Sequence, residues 1–242
     1  MLRSATKNLI KIRRLLVDTP VTSFLSSLSY GQMPQFERMA VVPLSIPAGG
    51  PSYLTLSDAQ CRGLITISEI SDGGSVPELR VENRAREGVL LLDGEELAGA
   101  KQNRVLNTSI LLKKQSTTIV PVSCTEQGRW SYSSPVFAES GHVMSPHIRS
   151  AKAHSVTESL ALGATFDSDQ GRVWNEIDKL HRRAGTQSPT GAMRDAHEAR
   201  RAAVDRYLAA FSLTPGQTGM VVLIDGQVVG VDILSRPEAF GQ

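Results

Sequence analysis

The chain has 242 residues, with 26 Lys or Arg against 24 Asp or Glu and a net charge of +2. That balance excludes a strongly basic nucleic-acid scaffold and an acidic tail protein, and 40% hydrophobic residues exclude a disordered chain. Two cysteines exclude a disulfide framework and a multi-cysteine zinc site, and no run of about eighteen apolar residues marks a transmembrane helix.

Residues 1–30 carry Arg3, Lys7, Lys11, Arg13 and Arg14, with no acid before Asp18. Charge interrupts Leu9, Ile10, Ile12, Leu15, Leu16 and Val17 too often for a signal-peptide core. The segment reads as a leader: an amphipathic helix docked on the domain, or else a transit peptide or membrane-surface helix. Without an export signal or a disulfide pattern, the expected compartment is the cytoplasm.

From residue 40 to 123 the hydrophobic period is two, which predicts mostly antiparallel sheets. Val41–Ile46 reads as a strand that Pro43 demotes toward an edge. A short helix can start at Ser57. Leu64–Ile70 alternates, Asp72-Gly73-Gly74 supplies a turn, and Glu78–Asn83 alternates with Leu79 and Val81 on one face. Val89–Leu92 is an apolar run that stops at Asp93-Gly94, and Ser109–Leu112 and Thr117–Val122 complete the strand-rich segment. Residues 125–155, rich in Ser, Gly and Pro, read as a long functional or mobile loop.

Helical periodicity begins at Gln170, where Val173, Trp174, Ile177 and Leu180 form one face. Gly185–Gly191 is a linker, and Ala192–Phe211 reads as helical with Ala196, Val204, Leu208 and Phe211 inward. Met220–Leu234 returns to strand character with a hairpin at Asp225-Gly226. Gly88–Gly94 echoes Met220–Gly226, either as an internal pseudo-repeat or as chance recurrence of a common hairpin sequence. The expected organisation is a leader over 1–30 and a single α+β domain over 31–242, with helices in 170–211 and a C-terminal β-hairpin.

The densest polar cluster runs from Asp93 to Arg104. Glu95 and Glu96 supply carboxylates for acid–base work or for holding a hard cation. Ala98, Gly99 and Ala100 let a ligand or backbone approach closely. Lys101, Gln102, Asn103 and Arg104 could bind sugar hydroxyls and phosphate oxygens. The plainer alternative is a solvated turn followed by exposed charges. A second cluster spans Pro121–Trp130. There Glu126 and Arg129 contact ligand or pair with each other, and Trp130 stacks on a base or fills the core. Cys124 reads as a buried, inert thiol rather than a nucleophile.

His142, His147 and His154 match no metal motif, so no metal site is assigned, and His181 and His197 read as solvated surface. No phosphate-cradling, dinucleotide-binding or nucleophile-elbow glycine motif is present, and Gly49-Gly50 and Gly73-Gly74 read as turn pairs. His181-Arg182-Arg183, Arg194, Arg200, Arg201 and Arg206 interleave with Asp195, Glu198 and Asp205, which points to a salt-bridged solvent face rather than a nucleic-acid surface.

Together these residues resemble the ADP-ribosylglycohydrolase-and-rhodanese-phosphatase-superfamily-associated protein domain family. The likeness is carried by Gln35–Leu44, by Leu92–Leu97 with Gly99–Arg104, by Val120–Cys124 with Glu126, Gly128, Arg129 and Trp130, and by Asp225-Gly226 with Gly230. It leaves residues 1–30 uncovered, and it implies a further helix past the position of Phe240. It also implies an association with NAD and ADP-ribose metabolism, with no reaction and no cofactor assigned.

The resulting expectation is a domain that binds or hydrolyses a nucleotide or ADP-ribose-like phosphosugar. Glu95 or Glu96 would be the acid–base or cation-holding group. Lys101, Gln102, Asn103, Arg104, Glu126, Arg129 and Trp130 would hold the ligand, the two clusters meeting in one concavity. The rival expectation is a non-catalytic interaction or scaffold domain that forms a homo-oligomer.

Overall fold

A computed structural model describes residues 19–47 and 49–241; the basic stretch of the leader, residues 1–18, lies outside the described residues. The elements begin with α1 (Thr19–Ser26), β1 (Ser29–Tyr30), β2 (Gln35–Phe36), β3 (Met39–Ser45), β4 (Tyr53–Thr55), α2 (Leu56–Cys61), β5 (Ile65–Ser68) and β6 (Glu78–Asn83). They continue with β7 (Gly88–Leu91), β8 (Glu95–Gly99), β9 (Arg104–Leu106), β10 (Ile110–Leu112), β11 (Ser116–Cys124), β12 (Phe137–Val143) and α3 (Pro146–Ala161). The chain ends with α4 (Gln170–Ala184), α5 (Met193–Glu198), α6 (Arg201–Ala210), β13 (Gly219–Ile224), β14 (Gln227–Ile233) and α7 (Pro237–Phe240). This is a mixed α+β fold, and among the described residues no helix is long and apolar enough to cross a membrane.

The described elements fall into two compact units, one built from the described residues up to 50 and from 211 onward, the other from residues 51–210. In the first, an antiparallel sheet has the order β1-β3-β13-β14, with β2 also on β3. Strand β3 is therefore internal to its sheet and not an edge, although it contains Pro43. The Pro43 carbonyl accepts a bond from the Gly31 amide at 2.9 Å, but proline has no N–H to return, and β1 ends at Tyr30 opposite Leu44. The missing donor thus falls where the short strand stops. Asp225 (φ +50°) and Gly226 (φ +75°) close the β13–β14 hairpin, with positive φ at both turn positions as a two-residue loop of this type requires.

The second unit holds the larger core. Six strands close an antiparallel barrel in the order β11-β6-β5-β12-β8-β9, and β10-β7-β4 form a separate three-stranded sheet. Alternation explains the barrel: Ile65 and Ile67, Leu79 and Val81, and Val120 and Val122 are buried at period two and pack into one cluster with Leu97, Leu106 and Phe137. On the outer face of β9, Val105 packs against Met144, Ile148, Val173, Ile177 and Met193, which puts α3, α4 and α5 over that side of the barrel. The Asp93-Gly94 turn leads from β7 of one sheet to β8 of another, so it does different work from the Asp225-Gly226 hairpin.

Two expectations need correcting. Residues 125–155 are not one loop: they contain β12 and most of the first turns of α3. Strand β12 is masked in the sequence by a bulge between Glu139 and Val143 around Gly141 (φ +74°). Helix α3 starts with Pro146, a favoured first position, and shows no apolar periodicity because Lys152 and Ser155 occupy inward positions beside Ile148 and Val156. The second correction concerns α6, which buries none of its residues: Val204 and Leu208 are exposed, while Ala196 on α5 is buried as expected.

Candidate functional site

Three loops close the same end of the barrel. The β5–β6 connection (69–77), the β8–β9 connection (100–103) and the β11–β12 connection (125–136) all leave from strand ends that pair with one another. Ser68 pairs with Arg80, Leu97 and Cys124 each pair with Arg104, and Phe137 pairs with both Ile67 and Gly99. The second polar cluster of the sequence and half of the first are thereby brought together.

Strand parity decides which side chains point inward here. Arg104 lies across from Leu97 and Cys124, all three fully buried, and Glu69 continues the inward series of Ile65 and Ile67. Arg104 Nη1 donates to Gln102 Oε1 at 2.9 Å and to Cys124 Sγ at 3.1 Å, and the Cys124 thiol donates to Gln102 Oε1 at 2.7 Å. Burial pushes the Cys124 thiol up, and the nearby Arg104 cation only partly offsets it, so the thiol stays protonated and unreactive at neutral pH. The amide of Gln170 grips the same residue's backbone, accepting from Cys124 N at 2.7 Å and donating to its carbonyl at 2.9 Å.

The other edge of the Arg104 guanidinium is different. Its Nη2 lies 4.0 Å from Glu69 Oε1, too far for a hydrogen bond, and Nε, Nη2 and both Glu69 carboxylate oxygens have no hydrogen-bond partner among the described residues. Two opposite charges thus face each other, buried, across a gap.

Above this pair lies the rim. Trp130 covers Arg104, whose Cζ sits 5.7 Å from its ring centroid, yet the indole is 49% exposed. Tyr132 is 51% exposed. The Lys101 ammonium lies 5.5 Å from the Trp130 ring and 5.2 Å from the Tyr132 ring and donates to the Gly73 carbonyl at 2.8 Å, tying two of the loops together. Tyr132, Asp72 and Ser133–Pro135 line an open hollow of about 530 Å³ beside it.

Glu126 and Arg129 form the frame. Arg129 donates through Nε and Nη2 to Glu126 Oε2 at 2.9 and 2.6 Å, and through Nη1 to Ala100 O at 2.6 Å and Ser131 O at 2.8 Å. Its Nη2 also reaches Asn103 Oδ1 at 3.1 Å. Burial pushes the Glu126 carboxyl up, but bonds from Arg129, Thr190 and the Asn103 amide outweigh it and hold the carboxyl below its usual range. Every donor of Arg129 is engaged by protein, and the clamp holds Ala100 at φ +40°, a left-handed conformation uncommon for alanine.

Glu95 and Glu96 stand elsewhere. They are consecutive on β8 and so face opposite ways. Glu96 pairs with Val105 on the helix-covered side, fully buried, and accepts from Thr125 Oγ1 at 2.7 Å and Ser140 Oγ at 3.0 Å. Burial pushes its pKa up to about 7 despite those two bonds. Glu95 accepts from the Leu92 amide at 2.7 Å, and burial raises it to about 7 as well. The two clusters therefore meet through Lys101, Gln102, Asn103, Arg104, Glu126, Arg129 and Trp130, while Glu96 touches the second cluster at Thr125, on the helix-covered side, and Glu95 is held by the Leu92 amide.

Two histidines also differ from expectation. His181 is buried because it follows Val173 and Ile177 at helical spacing, and His197 is half-buried, its ring stacked on His142 at 5.3 Å. Burial, reinforced by His142, pushes His197 below its ordinary value. Among the described residues no group of three or more His, Cys, Asp or Glu is arranged to hold a metal ion.

Sequence reasoning missed Glu69, Tyr132 and Gly74. The signal for Glu69 was present: a carboxylate at an inward position of an otherwise apolar strand. Tyr132 and Gly74 carried none, because only the folding of three loops onto one barrel end brings them beside Lys101.

No curated protein and no solved structure matches the chain. A family model does, over residues 27–242, which includes every residue of the barrel-end cluster. The chain belongs to the family of the ARG and Rhodanese-Phosphatase-superfamily-associated Protein domain.

Proposed function

We propose that the barrel end binds a nucleotide or ADP-ribose-like phosphosugar. The observation that carries this is the half-exposed Trp130 ring with the Lys101 ammonium beside it and the buried Arg104 cation beneath. An exposed aromatic face takes a base, and a rim ammonium takes a phosphate. The association of the family, by its name, with ADP-ribosylglycohydrolases and rhodanese-phosphatases agrees with such a ligand. Glu126, Arg129, Asn103 and Gln102 act as the frame that positions the 100–103 and 125–136 loops, since their polar groups are engaged by protein. Binding is favoured over hydrolysis, because Glu96 is sealed against the helix layer. Two unpaired cysteines, Cys61 and Cys124, agree with a cytoplasmic setting.

A non-catalytic interaction domain is the second reading, and the saturation of Glu126 and Arg129 by internal bonds favours it. Titration calorimetry with ADP-ribose separates the two. Binding of ADP-ribose that weakens about tenfold or more in Lys101→Ala and Trp130→Ala supports the ligand site. No heat with ADP-ribose, or binding indifferent to both substitutions, overturns it.

A further inference from the structure

We infer that the gap between Glu69 and Arg104 is the seat of a sugar vicinal diol, which resolves the phosphosugar reading above, on which it rests, into a deep hydroxyl subsite and a phosphate-binding rim. The side chains of Arg104 and Glu69 are 0% and 3% exposed. Burying either charge without partners is costly, and four buried polar positions here have no hydrogen-bond partner among the described residues, which suits them to hold a group that both donates and accepts.

Chemistry narrows that group. Glu69 offers acceptors only, on both oxygens. Arg104 offers donors only, at Nε and Nη2 along one edge of its fork. A phosphate has acceptors for the arginine but no proton for the carboxylate, and its charge opposes that of Glu69. An ammonium fails in the mirror sense beside Arg104. A hydroxyl donates and accepts at once. One oxygen about 2.8 Å from each group spans the 4.0 Å between Arg104 Nη2 and Glu69 Oε1. Two adjacent hydroxyls supply a proton to each carboxylate oxygen and lone pairs to both guanidinium nitrogens.

The surroundings fit a sugar leading from this gap to the rim. A Cβ at Gly74, which sits at φ +78°, would lie 3.5 Å from Glu69 Oε2, 3.2 Å from Lys101 Cδ and 3.4 Å from Trp130 Cζ2. The carboxylate, the lysine stem and the indole therefore converge on one point, beside a backbone whose positive φ favours glycine. A sugar whose diol lies between Glu69 and Arg104 can carry its phosphate out to the Lys101 ammonium. Trp130, which covers Arg104, must swing aside for the sugar to enter.

The test compares adenosine 5′-monophosphate with its 2′,3′-dideoxy analogue by titration calorimetry on the full chain, in wild type and in Glu69→Gln. The two share base and phosphate and differ only in the diol. We expect wild type to prefer the diol-bearing nucleotide about tenfold or more, as sites built to hydrogen-bond a hydroxyl do. Glu69→Gln should bring the two within about twofold. Equal binding of both nucleotides by wild type, weakened by Trp130→Ala, would overturn the diol subsite and leave the phosphosugar reading standing. An unchanged preference in a folded Glu69→Gln variant overturns the role of Glu69. Binding of neither nucleotide would overturn the diol subsite, and the phosphosugar reading then stands or falls with the ADP-ribose titration above. The wild-type comparison needs no substitution, so it decides the matter even where the variant fails to fold.

Discussion

Replacing Glu96 with Gln is expected to stabilise the protein above neutral pH by far more than it does near pH 5. The Glu96 carboxyl is fully buried between β8 and the helix layer, and burial lifts its pKa from 4.5 to about 7 in the folded state. The folded chain thus holds this proton more tightly than the unfolded chain. Stability is full below the unfolded value of 4.5 and falls as pH rises from there to about 7, where the buried carboxyl finally ionises. That gap, at about 1.4 kcal/mol for each tenfold, corresponds to about 3 kcal/mol of stability lost by wild type at about pH 8. Glutamine has the same shape and no proton to lose. Its carbonyl can accept from Thr125 as Glu96 Oε1 does, and the Ser140 hydroxyl can turn to accept from the new amide. Urea denaturation at about pH 5 and about pH 8 measures the effect, with an unchanged m value confirming that only stability moved. Glu95, also raised to about 7, gives both proteins a residual slope in the same direction, so the difference between them isolates Glu96. A variant less stable than wild type at about pH 8 would refute the reasoning, because it would mean that the ionised carboxylate is what the fold requires.

Four further outcomes follow from the same geometry. Arg129→Ala should cost about 3–5 kcal/mol in urea denaturation, since it strands the buried Glu126 carboxylate, and Arg129→Lys should not restore it because one ammonium cannot serve Glu126, Ala100 and Ser131 together. Gly99→Ala should unfold or strongly destabilise the chain in the same assay, because at φ +128° its Cβ would lie 2.5 Å from Ser134 Oγ and 2.6 Å from the Val136 carbonyl. Lys152→Met should lower stability by about 3 kcal/mol, since the fully buried ammonium pairs with Asp93 and donates to the carbonyls of Leu106 and Asn107 at 2.9 and 3.0 Å. Thiol titration should find one fast-reacting group in the native protein, Cys61, and a second, Cys124, only in denaturant; rapid native labelling at Cys124 would contradict its burial.

The barrel was legible in the sequence wherever a strand has one apolar face. Leu79 and Val81, and Ile65 and Ile67, announce themselves by alternation, and the α+β class follows from them. Legibility failed where an inward position is polar. Lys152 and Ser155 erase the apolar face of α3, and a bulge at Gly141 breaks the phase of β12, so a helix and a strand were read as loop. Glu69 keeps the parity of Ile65 and Ile67, so its inward position was legible, but its role emerges only once its partner, Arg104, is placed across the barrel. The two polar clusters were visible as residues, but their division of labour was not. Arg129 is a clamp and not a free cation, and Glu95 and Glu96, adjacent in sequence, are separated by the pleat. Hydrogen-bond saturation is a property of the fold, and residue type alone does not reveal it.

The measurement that tests the account most directly is the fluorescence of Trp130 in a Trp174→Phe protein, where it is the only indole, titrated with ADP-ribose to about 1 mM. The account predicts a saturable change in emission as the ring leaves Arg104 and meets the ligand, and loss of that change in Lys101→Ala. Emission that stays constant across the titration in a folded protein, or a change that Lys101→Ala leaves intact, would contradict it.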